Sequence, residues 1–459
     1  MKLSQLTTKK VHIIGINGIG MSALAVYLKK NKIDVSGSDI AKNSNTDVLN
    51  RNGINVIIGH KEENIKNKDI IFYSSAIKNN PEIKAAKKNN IPFFNRSKLL
   101  QIICKDKFTI VISGSHGKTS TTSILGHLLV SSGLNPTIIS GGIMNNFGQN
   151  IHLTDSNYVV VEADESDGTV FKLNPSILIF LNVDREHIDY YKSYSALKTK
   201  IKRFILKTSL KSKVIINTDD KFLDTLNTKS KNIITFGKKA SSQYAYKNVK
   251  LKNNNSTFDL YFKNKIIQKK ILSPLLGEHN IQNLTAALSV INNLDIKINK
   301  KHIMTFKGTM RRMNILGVIG QSVLIDDYAH HPTEIQKLIE VSNLYKNKEV
   351  YLIIEPHRYT RLNDLYNDYL QTLKGIKKLN ILKTYTAGEV LTNKMKDSKN
   401  LVNDLNVLFS QQTSYLDTYL DFFNLLDELT SNNKKKVIIA AGAGSISNQF
   451  RLYYETKKR

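Results

Sequence analysis

The chain has 459 residues, room for about three domains and too many for one core. At 41% hydrophobic and 23% charged, with only seven prolines, it has the composition of a folded, soluble protein and excludes a long disordered linker. The net charge of +29 raises nucleic acid as a partner, but the lysines are spread through the whole chain among asparagine and isoleucine, without interleaved aromatics. That spread is compositional bias, and no specific nucleic-acid partner is expected. The single cysteine, Cys104, excludes an intramolecular disulfide and a Cys-based metal centre, and fits a reducing cytoplasm.

In chain order, Val11–Ile14 reads as a short buried strand, Gly15-Ile-Asn-Gly18-Ile-Gly20 as a tight turn, Met21–Lys30 as an amphipathic helix and Ile33–Ser36 as a second strand ending at Ser38–Asp39. The stretch Val11–Leu28 has the apolarity of a signal anchor, yet His12, Asn17 and three glycines argue against membrane insertion. Strand, glycine turn, helix, strand and acid is a phosphate-binding order, although the glycines run G-x-x-G-x-G instead of G-x-G-x-x-G. A phosphate-bearing ligand at this turn is the sharper reading, and a turn shaped for packing the blander one.

Residues 111–125, VISGSHGKTSTTSIL, carry the strongest local signal. A β-branched strand enters Gly114-Ser115-His116-Gly117-Lys118-Thr119-Ser120, a G-x-x-G-K-T loop shorter than the usual phosphate loop. Its glycines let the backbone curl around phosphate oxygens, Lys118 reaches the terminal phosphates and Thr119 offers a hydroxyl to Mg²⁺. ATP or GTP is the expected ligand. The strand Tyr158–Val161 delivers Glu162 into an acidic loop, where it suits a metal-ordering carboxylate. After the strand Ile177–Asn182 comes His187, a second metal ligand or a core-edge histidine.

Asn280 and Asn283 lie three apart on a helical face and suit a base edge or an N-cap, while Arg311–Arg312 suit a phosphate or a plain basic surface. The third part alternates the strands Val323–Ile325, Val350–Ile354, Asn380–Leu382 and Val437–Ala440 with helices at Thr333–Tyr345 and Tyr359–Leu373, a parallel sheet covered on both faces. Its loops carry DDYAHHPTE (326–334) and EPHRYTR (355–361). Three histidines there raise zinc, but no i, i+4 pair supports it.

Taken together, GINGIGMSALA (15–25), GSHGKTS (114–120), EADESDG (162–168), GEHNIQN (277–283), FKGTMRR (306–312) and the two third-part loops resemble the Mur ligase family over nearly the whole chain. The resemblance implies an α/β fold of three domains: a Rossmann-like UDP-binding domain (1–104), a central P-loop-type ATPase domain with a mostly parallel sheet (105–308) and a C-terminal Rossmann-like domain (309–459). It implies ATP-dependent joining of L-alanine to the carboxylate of UDP-N-acetylmuramate through an acyl phosphate, with Mg²⁺, for peptidoglycan precursors. Under it Lys118 and Thr119 hold ATP phosphate and Mg²⁺, Glu162 and His187 serve a metal, and Asn280 and Asn283 face adenine. Arg312 approaches the γ-phosphate and Asp326 the ribose side. Tyr328, His330, Arg358 and Arg361 face the muramate and amino-acid end, while Gly15, Gly18, Gly20 and Asp39 lie against UDP. Several branches carry a carbamylated lysine, and Lys198, Lys200 and Lys202 fall in the corresponding stretch. Asp184 and Glu186 stand where relatives carry Glu and Asp.

Overall fold

The computed structural model describes residues 1–74, 77, 79–165, 168–185, 191–227, 230–431 and 434–458. Backbone contacts divide the chain into two compact units. The first comprises Met1–Val249, Thr257–Leu272 and Asn280–Lys307, the second Lys250–Ser256, Ser273–His279 and Gly308–Arg459.

The amino-terminal sheet is wholly parallel. Its strands β1 (Lys10–Ile14), β2 (Asp34–Asp39), β3 (Asn55–Ile58), β4 (Ile70–Tyr73) and β5 (Phe93–Asn95) lie in the order β3-β2-β1-β4-β5. The order reverses between β1 and β4, and a ligand crevice forms outside the strand ends at such a switch. The glycine turn follows β1, and Ser74 follows β4.

The second sheet has β6 (Phe108–Ser113), β7 (Thr137–Met144), β8 (Gln149–His152), β9 (Tyr158–Glu162), β10 (Ile177–Phe180), β11 (Lys213–Asn217), β12 (Ile233–Gly237), β13 (Tyr244–Leu251), β14 (Ser256–Phe262) and β15 (Lys265–Ser273). Their order is β15-β14-β13-β12-β11-β10-β6-β9-β7-β8. Strand β6 is parallel to both neighbours, and its apolar residues are buried on both faces. That places the phosphate loop between the ends of β9 and β10.

In the second unit, β16 (Asn314–Ile319), β17 (Ser322–Asp327), β18 (Glu349–Glu355), β19 (Leu379–Leu382), β20 (Ser414–Leu416) and β21 (Lys436–Gly442) are ordered β16-β17-β21-β18-β19-β20. All pairings are parallel except β16 with β17. The helix expected over Tyr359–Leu373 is two, Tyr359–Asp364 and Tyr366–Leu373, separated at Leu365 (φ −116°, ψ 20°). Asn363 Nδ2 donates to the Tyr359 carbonyl (2.8 Å), a side-chain bond that competes with the helical ladder. Among the described residues no helix is long and apolar enough to cross a membrane.

Candidate functional site

Gly114 adopts φ +130°, and a Cβ on it would stand 3.0 Å from the backbone nitrogens of Leu181 and Asn182. Gly117 (φ +84°) N-caps the helix Lys118–Ser131 and has Asn283 Oδ1 2.6 Å from where its Cβ would be. Only glycine fits both places, so the loop can curl tightly beneath the helix start. Side chains from beyond β10 lock it. Asn182 Oδ1 accepts from His116 N (2.7 Å), Asn182 Nδ2 donates to His116 O (3.0 Å), and Ser115 Oγ accepts from Asp184 N (2.9 Å). His116 Nε2 also meets Asp184 Oδ2 at 2.9 Å, which makes Asp184 a buttress of the loop. Lys118 Nζ donates to Gly114 O (2.6 Å) and Ser115 O (3.0 Å) and pairs with Asp164 (3.0 Å). The ammonium thus sits in the loop at a helix N-terminus, an arrangement suited to a polyphosphate.

Glu162, at the end of β9, is buried; its Oε1 accepts from Thr119 Oγ1 (2.9 Å) and its Oε2 from Gly141 N (2.6 Å). Burial, with the Asp164 charge beside it, pushes its carboxyl up. A carboxylate and a hydroxyl, with Asp164 beside them, form an oxygen donor set that fits a hard divalent cation such as Mg²⁺. Such a cation would also relieve the buried charge. His187, expected as a partner of Glu162, lies outside the described residues, as does Glu186. Asn280 and Asn283 share one buried helical face, with Asn283 Nδ2 donating to Asn280 Oδ1 (3.3 Å) beside Gly117.

At the amino-terminal turn, Gly15 (φ +77°) and Ile16 donate their N–H groups to Ser38 O at 2.8 and 3.1 Å. Asp39 Oδ2 accepts from Asn17 N and its Oδ1 from Ile40 N, both at 2.8 Å, so this carboxylate shapes the turn. Below it Glu82 is wholly buried and accepts from Ser38 Oγ (2.7 Å), Asn64 Nδ2 (2.7 Å) and His60 Nδ1 (2.9 Å). Burial alone would raise its carboxyl; His12, Asn64 and Ser38 carry it below the ordinary value. Between this turn and Glu162 lies a cavity of about 270 Å³, lined by Gly18, Gly20, Met21, Ser74, Arg96, Gly141, Glu162 and Asp164.

In the second unit, Asp326 is buried with its Oδ2 committed to Arg451 Nη2 (2.6 Å) and Ser447 Oγ (2.7 Å), which pins the helix Ile446–Lys457. Asp327 accepts from Met313 N and Ala329 N, both at 2.7 Å, and burial pushes it up to about 6. Arg311 and Arg312 lie over the Tyr328 ring at 4.7 and 4.9 Å. From Tyr328 a chain of rings runs through His330 (5.2 Å) and His357 (5.7 Å) to Tyr385 (5.4 Å). Arg361 Nη1 reaches His357 Nδ1 (3.0 Å), and Arg358 Nε donates to Glu389 Oε1 (2.7 Å). Tyr328, His330 and Arg361 are therefore brought together, while Arg358 is turned toward the 386–391 loop.

The description "Mur ligase family, catalytic domain" matches residues 10–108, "Mur ligase middle domain" 112–291 and "Mur ligase, glutamate ligase domain" 311–444. A UDP-N-acetylmuramate–L-alanine ligase of Aquifex aeolicus is 36% identical over 444 residues, 96% of each chain. The chain belongs to the Mur ligase family. Another Mur ligase of the same name, from Pelagibacter ubique, is 38% identical over 97% of this chain and 98% of its own. The solved UDP-N-acetylmuramate-alanine ligase MurC of Thermotoga maritima shares the fold with a TM-score of 0.82 at 24% identity, covering 98% of this chain and 99% of its own.

Against this Mur ligase scaffold, the lysines of the carbamylation stretch divide. Lys198 Nζ sits 4.1 Å above the Tyr194 ring and Lys200 Nζ 4.7 Å above that of Phe171, faces that favour a cation over a carbamate; Lys202 is exposed. Arg96, Gly141, His357, Tyr385 and Glu389 belong to these clusters and carry no signal as isolated residues. His357 does stand inside a quoted motif, next to residues already singled out.

Proposed function

We propose that this Mur ligase joins L-alanine to the carboxylate of UDP-N-acetylmuramate with cleavage of ATP to ADP and phosphate, a carbon–nitrogen bond-forming step in peptidoglycan precursor synthesis. The observation that carries the reading is the cavity whose walls are the glycine turn on one side and Glu162 on the other, with Thr119 of the phosphate loop bonded to that same carboxylate. A nucleotide sugar bound at the turn can extend its acid toward the triphosphate. In the reading, residues 1–104 hold UDP through Gly15, Gly18 and Gly20, with Asp39 shaping the turn. Residues 105–308 hold ATP through 114–120, Asn280 and Asn283, and residues 309–459 hold the amino-acid end. The cytoplasm is its place.

A carboxylate is a poor electrophile. The muramate carboxylate attacks the γ-phosphorus, ADP leaves and an acyl phosphate forms. The neutral α-amine of alanine then attacks the acyl carbon, loses a proton, and inorganic phosphate departs. Phosphoryl transfer asks mainly for alignment and charge neutralisation, the task of Lys118 and Arg312. Thr119 and Glu162, with His187 as the expected third, would hold Mg²⁺, which would supply further charge neutralisation at the phosphates. Tyr328, His330, Arg358 and Arg361 orient the amino acid, with a guanidinium matched to its carboxylate. Asp326, engaged with Arg451, shapes the ribose side through that helix.

The test is phosphate release from ATP and Mg²⁺ in mixtures lacking one component. Release must depend on both UDP-N-acetylmuramate and L-alanine. Release that follows a tripeptide in place of L-alanine, or a nucleic acid, overturns the reading.

A further inference from the structure

In the second unit, Arg312 and His330 meet the same two residues. The Tyr328 ring lies 4.9 Å from the Arg312 guanidinium and 5.2 Å from the His330 ring. Glu334, in the first turn of the helix Pro332–Ser342, closes the circuit. Its Oε1 stands 3.5 Å from Arg312 Nη1, and its Oε2 accepts from His330 N (3.2 Å). One carboxylate thus touches the arginine assigned above to the phosphate and the histidine assigned to the amino-acid end.

A glutamate in a first helical turn favours the dipole wherever it stands, so helix stabilisation is its ordinary role. The contacts of Glu334 go further. The backbone at Arg312 is fixed without it, because Arg312 N donates to Thr309 O (3.1 Å) and Met313 N to Asp327 Oδ2 (2.7 Å). A long side chain on a fixed backbone still keeps its rotamer freedom. With the guanidinium over the Tyr328 ring and Nη1 against Glu334, the planar fork is held at two points. His330 is anchored as well: its Nδ1 lies 2.9 Å from Tyr328 O, and its carbonyl accepts from the Tyr369 hydroxyl. The Glu334 side chain is only 14% exposed, so little water screens its charge from Arg312.

We propose that Glu334 is a positioning residue for both halves of the reaction, aiming the Arg312 guanidinium for phosphoryl transfer and setting the His330 backbone at the amino-acid end. The inference rests on the function proposed above and adds the residue that ties its two ends together. Glu334 acts through its neighbours and not on the substrates. Its charge serves Arg312, whereas a plain acceptor oxygen suffices for His330 N. The two tasks therefore separate by substitution. Glu334→Gln keeps an oxygen for His330 and turns an amide N–H toward Arg312 Nη1, donor against donor. Glu334→Ala removes both contacts.

Two rates of the full chain test this: phosphate release with L-alanine, and hydroxamate formation with hydroxylamine in its place. The second reports the acyl phosphate alone, since hydroxylamine attacks its acyl carbon, loses a proton and expels phosphate. Glu334→Gln lowers hydroxamate formation about 5- to 20-fold and leaves KM for L-alanine nearly unchanged. Glu334→Ala adds a rise in that KM of about 3- to 10-fold. In an Arg312→Lys background, where the fork is gone, Glu334→Gln costs less than about 2-fold more. Hydroxamate formation unaltered by Glu334→Gln overturns the proposal, and so does a change confined to KM for L-alanine. A lower melting temperature in both variants with both rates kept would make Glu334 a helix cap. If Glu334→Gln does not fold, Glu334→Asp carries the test: with its charge kept at shorter reach it should lose part of the hydroxamate rate, and no loss overturns the proposal. A wild-type chain that forms neither product from ATP and UDP-N-acetylmuramate overturns the functional reading itself.

Discussion

Thr119 Oγ1 donates to Glu162 Oε1 across 2.9 Å, which joins the first turn after the phosphate loop to the end of the adjacent strand. The second oxygen of the same carboxylate takes the Gly141 N–H. One buried acid therefore ties the start of the helix after the phosphate loop to two segments that line the cavity, those of Gly141 and Glu162. Glu162→Gln keeps this geometry, because the amide oxygen can serve Gly141 while the amide nitrogen donates to Thr119 Oγ. It removes only the charge. The expected outcome is an unchanged or slightly higher melting temperature, since a desolvated charge is gone, together with a loss of kcat of at least about 100-fold. Thermal melting and steady-state phosphate release measure the two. Retained turnover would remove Glu162 from the metal site.

Lys118 contacts the loop and the acidic stretch after β9, and it does not line the cavity at the glycine turn. Lys118→Ala is therefore expected to abolish ATP-dependent turnover while UDP-N-acetylmuramate still binds. Asp164 and the nearly buried Glu165 (Oε2 at 3.4 Å) lose their cation, so the melting temperature falls as well. Calorimetry with the sugar nucleotide decides it. Loss of sugar-nucleotide binding in a folded variant would mean that the two ligands share one site.

What the sequence discloses depends on whether a residue acts alone or through a partner. The phosphate loop, the strand carrying Glu162 and the strands ending at Asp327 and Glu355 are legible because each is a continuous apolar run closed by a motif. Strands β13–β15 escape because lysine and asparagine interrupt them, although Ser256, Phe258 and Leu260 alternate inward as a half-buried strand should. Asp39 reads as a ligand acid from its position after β2, yet both of its oxygens accept backbone N–H groups of the turn. Arg96 follows an unremarkable asparagine and reaches the cavity beside Gly20, far away in sequence. No periodicity encodes such a meeting, since it is set by the sheet order that brings the end of β5 toward the helix after β1.

Burial lowers three histidines of the second unit: His330 to about 3 and His279 and His357 to about 4. Each is below the ordinary value, so the unfolded chain binds protons first as acid is added. Stability is full above about pH 6.5 and is lost as pH falls toward about 4, with His330 and His279 each contributing up to about 1.4 kcal/mol per pH unit inside that window and the more exposed His357 less. Melting temperatures from pH 7.5 to 5 should decline, and His330→Gln should shrink the slope. Imidazole carbon shifts at pH 5.5 should still report neutral rings at His330 and His357. Protonated rings at that pH would contradict the burial argument.

Glu389 holds Arg358 in a way that ties one loop to amino-acid recognition. Arg358 has a left-handed φ of +70°, which a non-glycine residue adopts only when its surroundings impose it. Glu389 Oε1 accepts from Arg358 Nε (2.7 Å) and Thr360 Oγ1 (2.7 Å), while Oε2 accepts from Thr360 N (3.0 Å). One carboxylate thus steadies the guanidinium and the start of the helix Tyr359–Asp364. Arg358 is 44% exposed, so solvent screens the pair and the effect of breaking it stays modest. Glu389→Gln should raise KM for L-alanine about 3- to 10-fold, with kcat and the KM values for ATP and UDP-N-acetylmuramate nearly unchanged. Glu389→Asp, which keeps the charge with a shorter reach, should recover part of the loss. A uniform rise in all three KM values, or a fall in melting temperature without a selective effect on alanine, would make Glu389 a brace of the loop and not a positioner of Arg358.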